Sequence, residues 1–238
     1  MSKLSPSLFT ETGATRLVEV GFALRQDSTG RSWRYSLAGA GTLGRGKLAV
    51  SSTVDAQRVD LSFATAPAIG DKKVKVTIGT GNAAANDYRD GWLNVQDGTG
   101  EGRAYPIEGH PAITASTAGF FYLKEPIDTA GALAETNVDL QKNFYDGVVI
   151  SVIDQLDPMA GVPNVAITLA EYGWVQTYGP CAVWFDEIVA IGASLTAGTS
   201  IAGSLELVDA AGEPLVGYMM NKGSIDTEYQ LVDLAIRY

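Results

Sequence analysis

The chain is poor in the residues from which catalytic and metal centres are made. It has one histidine, His110, and one cysteine, Cys181, in 238 residues. A single cysteine excludes an intramolecular disulfide. One histidine with one cysteine cannot complete the usual zinc ligand set without two carboxylates. Any nucleophile–histidine pair would have to use His110, which stands before Pro111 in EGHPAI. A residue before proline favours an extended or loop position. His110 is therefore read as a loop histidine and Cys181, among apolar neighbours, as a buried thiol. The expectation is a protein that is not an enzyme, with no catalytic residues, no metal and no cofactor.

Charge is scarce as well. Charged residues make up 18% of the chain, below the ~25% of ordinary globular proteins, which leaves more surface open to protein contacts. The balance is negative, −10 at neutral pH, and repels phosphate backbones and anionic lipid. No nucleic acid and no membrane partner is expected. The one basic run, Lys72-Lys73-Val74-Lys75, alternates as the solvated face of a strand. The opening MSKLSPSLFTETGATR lacks the apolar core of a signal peptide, and no stretch of about 18 apolar residues occurs. Synthesis in the cytoplasm without secretion by the usual route is the corresponding expectation.

What the chain does have is period-two patterning. Hydrophobic residues reach 46%, enough to exclude wholesale disorder. A chain of this length buries roughly 70–75% of its unfolded surface without disulfides or metal. Val59, Leu61 and Phe63 alternate with polar residues, as do Val74, Val76 and Ile78. Short candidates follow at Trp92–Val95, Tyr105–Ile107, Phe120–Leu123, Val138–Leu140, Val148–Ile153, Val165–Leu169, Ser204–Val208 and Tyr229–Ile236. Gly79-Thr80-Gly81, Asp97-Gly98, Gly179-Pro180 and Gly212-Glu213-Pro214 punctuate them. Many short strands with close turns predict an all-β fold, a sandwich or barrel body. Helical periodicity is nowhere sustained. Single turns at Asn82–Tyr88 and Ala130–Glu135 are the nearest approach.

Three segments are expected. Residues 1–50 hold an extended arm (1–15) and a hairpin (16–36) turning at Asp27–Arg31; residues 51–160 form a central β domain; residues 161–238 form a C-terminal β domain. The Pro- and Gly-bearing DPMAGV, residues 157–162, marks the second boundary.

Two stretches invite a chemical reading and resist it. Gly98-Thr99-Gly100-Glu101-Gly102 has the glycines of a phosphate loop but runs on into RAYPIEG instead of a helix, so a turn or bulge is expected. Asp87, Asp90, Asp97 and Glu101 cluster in sequence without the order of an EF-hand. YGWVQTYGPCAVWF, residues 172–185, reads as two short strands broken at Gly179-Pro180. Alternate residues of a strand face opposite sides, so some of its aromatics belong to the core and some to a surface that anchors a partner or stacks on sugar.

Three stretches resemble a family of tailed-bacteriophage structural proteins described as head decoration, cement or head-fibre proteins. They are RSWRYSLAGAGTLGRGKLAV, DGWLNVQDGTGEGRAYPIEGHPA and YGWVQTYGPCAV, the last with Cys181 where a small residue is usual. The resemblance spans most of residues 31–185 and weakens after residue 186. It implies a virion component on the capsid surface whose partner is the major capsid protein, with self-association as a homotrimer, and no catalytic residues. Leu8 and Phe9 of the arm, with Trp174, Tyr178 and Trp184, are the candidate interface residues. The alternative is a virion-displayed head-fibre or adhesin module binding host-surface carbohydrate, with Trp174, Tyr178 and Trp184 as its stacking platform.

Overall fold

The computed structural model describes residues 8–26, 28–52, 55–133, 135–152, 157–221 and 227–236. It is all-β, as the patterning predicts. Among the described residues helix is confined to two 3-10 turns, Leu8–Thr10 and Ala56–Arg58, and no helix is long and apolar enough to cross a membrane. The chain forms two compact units: residues 53–143, and residues 1–52 together with 144–238.

The larger unit begins with β1 (Ala23–Gln26), β2 (Arg31–Ala38) and β3 (Ala49–Val50). The smaller unit follows with β4 (Leu61–Thr65), β5 (Lys73–Thr77), β6 (Trp92–Asp97), β7 (Ala104–Gly109), β8 (Ala118–Leu123) and β9 (Asn137–Gln141). These six strands close into an antiparallel barrel in the order β4-β5-β8-β7-β6-β9, so the body has no open sheet edge. The predicted alternation places its core: Leu61, Phe63, Val74, Val76, Leu93, Val95, Ile107, Phe121, Leu123, Val138 and Leu140 are all buried. Each contributes on the order of 1.5–3 kcal/mol by leaving water. Register shifts in β4, β6 and β7 supply the local bending that closure of a small barrel needs.

A buried Arg58 ties this barrel's entry. Its guanidinium donates to the carbonyls of Gln57 (3.1 Å), Gly81 (2.8 Å) and Asn82 (3.1 Å) and faces the Tyr88 ring at 5.8 Å. The glycine-rich segment 98–102 is the turn joining β6 to β7, as expected, held by Gly102 N–H to Val95 O (2.9 Å) and Val95 N–H to Arg103 O (2.8 Å).

The larger unit resumes with β10 (Asp146–Ile150), β11 (Met159–Pro163), β12 (Tyr172–Trp184), β13 (Ser194–Ala197), β14 (Leu205–Leu207), β15 (Gly217–Met219) and β16 (Tyr229–Ala235). The 13-residue β12 is its spine. The first half pairs antiparallel with β2, from Tyr172↔Leu37 to Tyr178↔Ser32. The second half pairs antiparallel with β16, from Tyr178↔Ala235 to Trp184↔Tyr229. On the other side β12 pairs with β11, β11 with β3, β3 with β10, and β10 with β2, so that five strands form a ring. From β16 the sheet continues through β15 and β13 to β14. Apolar clusters fill the ring (Val20, Leu43, Val148, Ile167, Val175) and the β13–β16 side (Val183, Phe185, Leu195, Val216, Leu234).

These pairings run differently from the three consecutive segments expected. Residues 31–50 do not stand apart, because β2 and β3 complete the same ring as β10, β11 and β12. MAGVP, part of the expected boundary, is instead β11, buried at every position. A strand buried on both faces shows no alternation, and its Gly and Pro disguise it further. Val165–Leu169 is not a strand; Ile167 makes only an isolated bridge with Leu43.

The arm is also corrected where it is described. Residues 8–10 form a 3-10 turn, and Gly13 exchanges both backbone hydrogen bonds with Tyr172, at 3.1 and 2.8 Å. The Phe9 ring stacks on Trp33 at 3.8 Å. This stretch packs on its own unit. Residues 1–7 of the expected arm, and Asp27 of the expected turn, lie outside the described residues.

Candidate functional site

The Gly179-Pro180 pair does not break β12 into a hairpin. It makes a bulge within one continuous strand: the register against β2 shifts between Gln176 and Tyr178, while pairing with β16 runs on unbroken through Gly179 and Pro180. Gly179 has φ +80°, and a Cβ there would lie 2.7 Å from the Gly30 carbonyl oxygen. Only glycine fits. The bulge turns backbone carbonyls away from the ladder, and the fully buried Gln176 collects them. Its Nε2 donates to Tyr178 O (3.0 Å), Gly179 O (3.1 Å) and Pro180 O (2.9 Å), and its Oε1 accepts from Asn164 Nδ2 (3.3 Å). The amide thus does for the bulge what a neighbouring strand does for a regular ladder.

Beside this bulge the larger unit carries a cleft of about 830 Å³. Gln176, Asn164 and Cys181 lie at its base; Arg31, Arg45, Pro180, Tyr229 and Leu231 line it. Arg31 Nε donates to Thr29 Oγ1 (3.2 Å) and its guanidinium lies over the Trp33 ring at 5.0 Å. Arg45 is exposed. The Tyr229 wall is seated by Gly46, where a Cβ would come within 2.5 Å of the ring, and by its hydroxyl, which donates to Arg45 O (3.1 Å). No described lining residue is a carboxylate.

The cleft opens toward the outer face of the β12–β16–β15 sheet. Register places Trp184 opposite Tyr229, and Ala182 opposite Leu231; Met220 donates its N–H to Leu231 O (3.0 Å), and Tyr218 lies opposite Asp233. Tyr229 (50%), Tyr218 (44%), Leu231 (41%) and Met220 (40%) all keep large exposed areas. The opposite faces of the same strands, Val183, Val232, Leu234 and Met219, are buried. Large apolar residues therefore stand on both sides of this sheet, with Asp233 as the one charged position of β16 on the outer side.

The sequence-predicted interface residues divide. Phe9 and Trp174 are buried together with Trp33 and Tyr35 in an aromatic cluster, with Trp174 3% exposed and edge-on to Phe9 at 6.3 Å. Neither forms a surface, and Trp174 is not available as a stacking platform for sugar. Leu8 lies in the 3-10 turn. Tyr178, at the bulge, and Trp184, whose ring meets Tyr229 edge-on at 4.9 Å, are half-buried. Trp184 lies in the outer face, and Tyr178 shares its side of β12 in the unbroken register with β16. Tyr218, Met220, Tyr229 and Leu231 are exposed apolar positions that residue patterning did not single out, although the alternation of YQLVDLA marked Tyr229 and Leu231.

Cys181, His110 and three of the four clustered acids have structural partners. Burial pushes the Cys181 thiol up to about 12, with Arg31 pulling weakly the other way, so it is protonated at ordinary pH and is no nucleophile. His110 is buried against Tyr88 and Phe121; its Nε2 accepts from Tyr88 N–H (3.0 Å) and its Nδ1 lies 2.8 Å from Pro111 O. The tautomer protonated at Nδ1 satisfies both bonds, and burial lowers the imidazole below its ordinary value. The position after β7 is a loop, as expected, but an interior one. Of the clustered acids, Asp87 caps the Ala84 N–H (2.7 Å), Asp97 caps Gly98 N–H (2.7 Å) and Asp90 pairs with Lys124 (3.0 Å). Among the described residues no three acidic, histidine or cysteine side chains gather as a metal site would require.

Fold and site together define an all-β protein in which a six-stranded barrel interrupts the sequence of a second β unit, and that second unit carries a cleft lined by Arg31 and Arg45 beside a sheet face with exposed apolar side chains. Protein-family models, curated proteins and solved structures give no match to the chain.

Proposed function

We propose that the protein is a structural component of a tailed-bacteriophage head, a cement or decoration protein that binds the major capsid shell. The observation that supports this most is the apolar outer face made by Trp184, Tyr229, Leu231, Tyr218 and Met220. An antiparallel sheet with one free face ordinarily turns polar residues to water, and aromatics with Met are enriched where proteins meet. A face of this kind on a rigid β body suits permanent attachment to a shell. The motif resemblance in residues 31–185 points to the same role.

The test is rebinding to shells prepared without the protein, read by co-sedimentation. Leu231→Glu changes an exposed position, so folding is kept, while an interface there would lose an apolar contact and gain a desolvated charge. Affinity is expected to fall by about tenfold or more. Wild-type protein that does not sediment with shells, or a Leu231→Glu variant that rebinds as well as wild type, overturns the proposal.

A further inference from the structure

We propose that the outer side of β5 and β8 on the barrel is a self-association surface, and that its occupant is the β6–β9 side of the barrel in a second copy of the chain. The assignment goes beyond the capsid reading and does not rest on it. Alternate residues of β5 and β8 point outward, so Lys73, Lys75 and Thr77 stand directly opposite Tyr122, Phe120 and Ala118. Tyr122 (42%) and Phe120 (38%) keep large exposed areas. Lys73 Nζ lies 3.9 Å from the Phe120 ring centre and 5.7 Å from that of Tyr122, and Lys75 Nζ lies 5.5 Å from Phe120. The ion pairs Arg58–Asp55, Arg103–Asp128 and Lys124–Asp90 of this barrel use other residues. Glu108, exposed on the adjoining β7, borders the strip. In a chain of net charge −10, two ammonium groups over two rings reverse the sign locally.

The geometry of the strip narrows its partner. An ammonium over a ring occupies the face on which a sugar or a base would stack, and a polyanion would also meet the acidic remainder of the molecule. The ammonium keeps N–H donors for a carboxylate, and the ring beneath positions it before binding. A closed barrel offers no edge for strand addition, so the contact is made by side chains. What fits is an acidic protein surface, and the same barrel carries one. Strands β6 and β9 lie three places from β5 and β8 in either direction around the ring, so the two sides face away from each other. There Asp139 Oδ1 accepts from Asp60 N–H (2.9 Å), and Asp60 Oδ1 accepts from Gln96 Nε2 (3.1 Å) and Asn137 Nδ2 (2.7 Å). Asp97 stands opposite Asn137, and Glu101 follows in the β6–β7 turn. The donors to Asp60 and Asp139 are neutral, so their negative charge is not cancelled. Of the nearby cations, Arg103 is paired with Asp128 (3.3 Å), and Lys142 follows β9 at the end away from Asn137. Two unlike faces on opposite sides of one body meet head to tail, a contact that closes into a ring or continues as a string.

The test is sedimentation velocity on the full chain from about 10 μM to about 1 mM, a range that reaches the weak affinities of small charged interfaces. Wild type is expected to self-associate with rising concentration at low salt, and less so in about 0.5 M NaCl. Lys73→Glu with Lys75→Glu should raise the midpoint concentration by about tenfold or more, and Lys73→Gln with Lys75→Gln should raise it by less. Gln96→Lys with Glu101→Lys changes exposed positions on the other side and should also weaken association. Mixing the two charge-reversed variants should restore it, because each then offers the complement of the other's altered side. A far-UV circular dichroism spectrum matching wild type checks that each variant is folded. Wild type that stays monomeric throughout the range, or association that neither lysine pair changes, overturns the proposal. A mixture that associates no better than its separate components overturns the head-to-tail pairing of the two sides.

Discussion

Replacing Gln176 by leucine removes the brace of the bulge while nearly conserving volume. Three carbonyl oxygens lose a donor, those of Tyr178, Gly179 and Pro180, and Asn164 Nδ2 loses an acceptor. An unsatisfied buried polar group costs about 1–3 kcal/mol. Only the Gly179 bond is fully buried, so water can recover part of the loss at the other two, and the apolar replacement offsets a little more. The net is about 2–4 kcal/mol, which for a unit of this size lowers Tm by roughly 5–15 °C. Gln176→Glu should be worse at neutral pH, since the same carbonyls then face a buried carboxylate. Calorimetry gives the magnitude and native-state hydrogen exchange gives the place: amides of β2, β12 and β16 should lose protection while those of β4–β9 keep theirs. A Tm within about 1 °C of wild type, or protection lost equally in the barrel, refutes the reasoning.

Two further outcomes follow from the barrel. Arg58→Met leaves the carbonyls of Gly81 and Asn82 without their guanidinium donor; at about 1–3 kcal/mol each, thermal denaturation should show a loss on the order of 10–20 °C. His110 holds fewer protons folded than unfolded between its lowered value and its ordinary 6.5. Its contribution to stability is therefore complete above pH 6.5 and is lost as pH falls toward the folded value, where a protonated Nε2 would face the Tyr88 N–H. Tm measured against pH should fall more steeply below 6.5 for wild type than for His110→Gln, and parallel curves would count against the buried-acceptor role.

Much of the architecture could be read from residue patterns, and the failures have physical causes. Barrel strands such as Lys73–Thr77 and Ala118–Leu123 have one face buried and one exposed, so alternation located them. β11 has no exposed face, and β3 is two residues long; neither leaves a periodic trace. That residues 53–143 interrupt a single unit depends on pairings such as Tyr172↔Leu37, which no local window contains. Gly179-Pro180 looked like a turn because the same residues serve turns and bulges. What distinguishes them here is Gln176, three residues earlier, whose amide satisfies the displaced carbonyls. Aromatic content alone also does not tell core from surface: Phe9 and Trp174 lie in a buried cluster, while Tyr229 stands on an outward register position and stays half exposed.

The most direct test of the role as a capsid protein is its copy number per intact particle, by quantitative mass spectrometry against the major shell protein. Attachment across the shell through the β12–β16–β15 face predicts a number of copies close to that of the shell protein. A handful of copies per particle, as at a single vertex, or none, would contradict it.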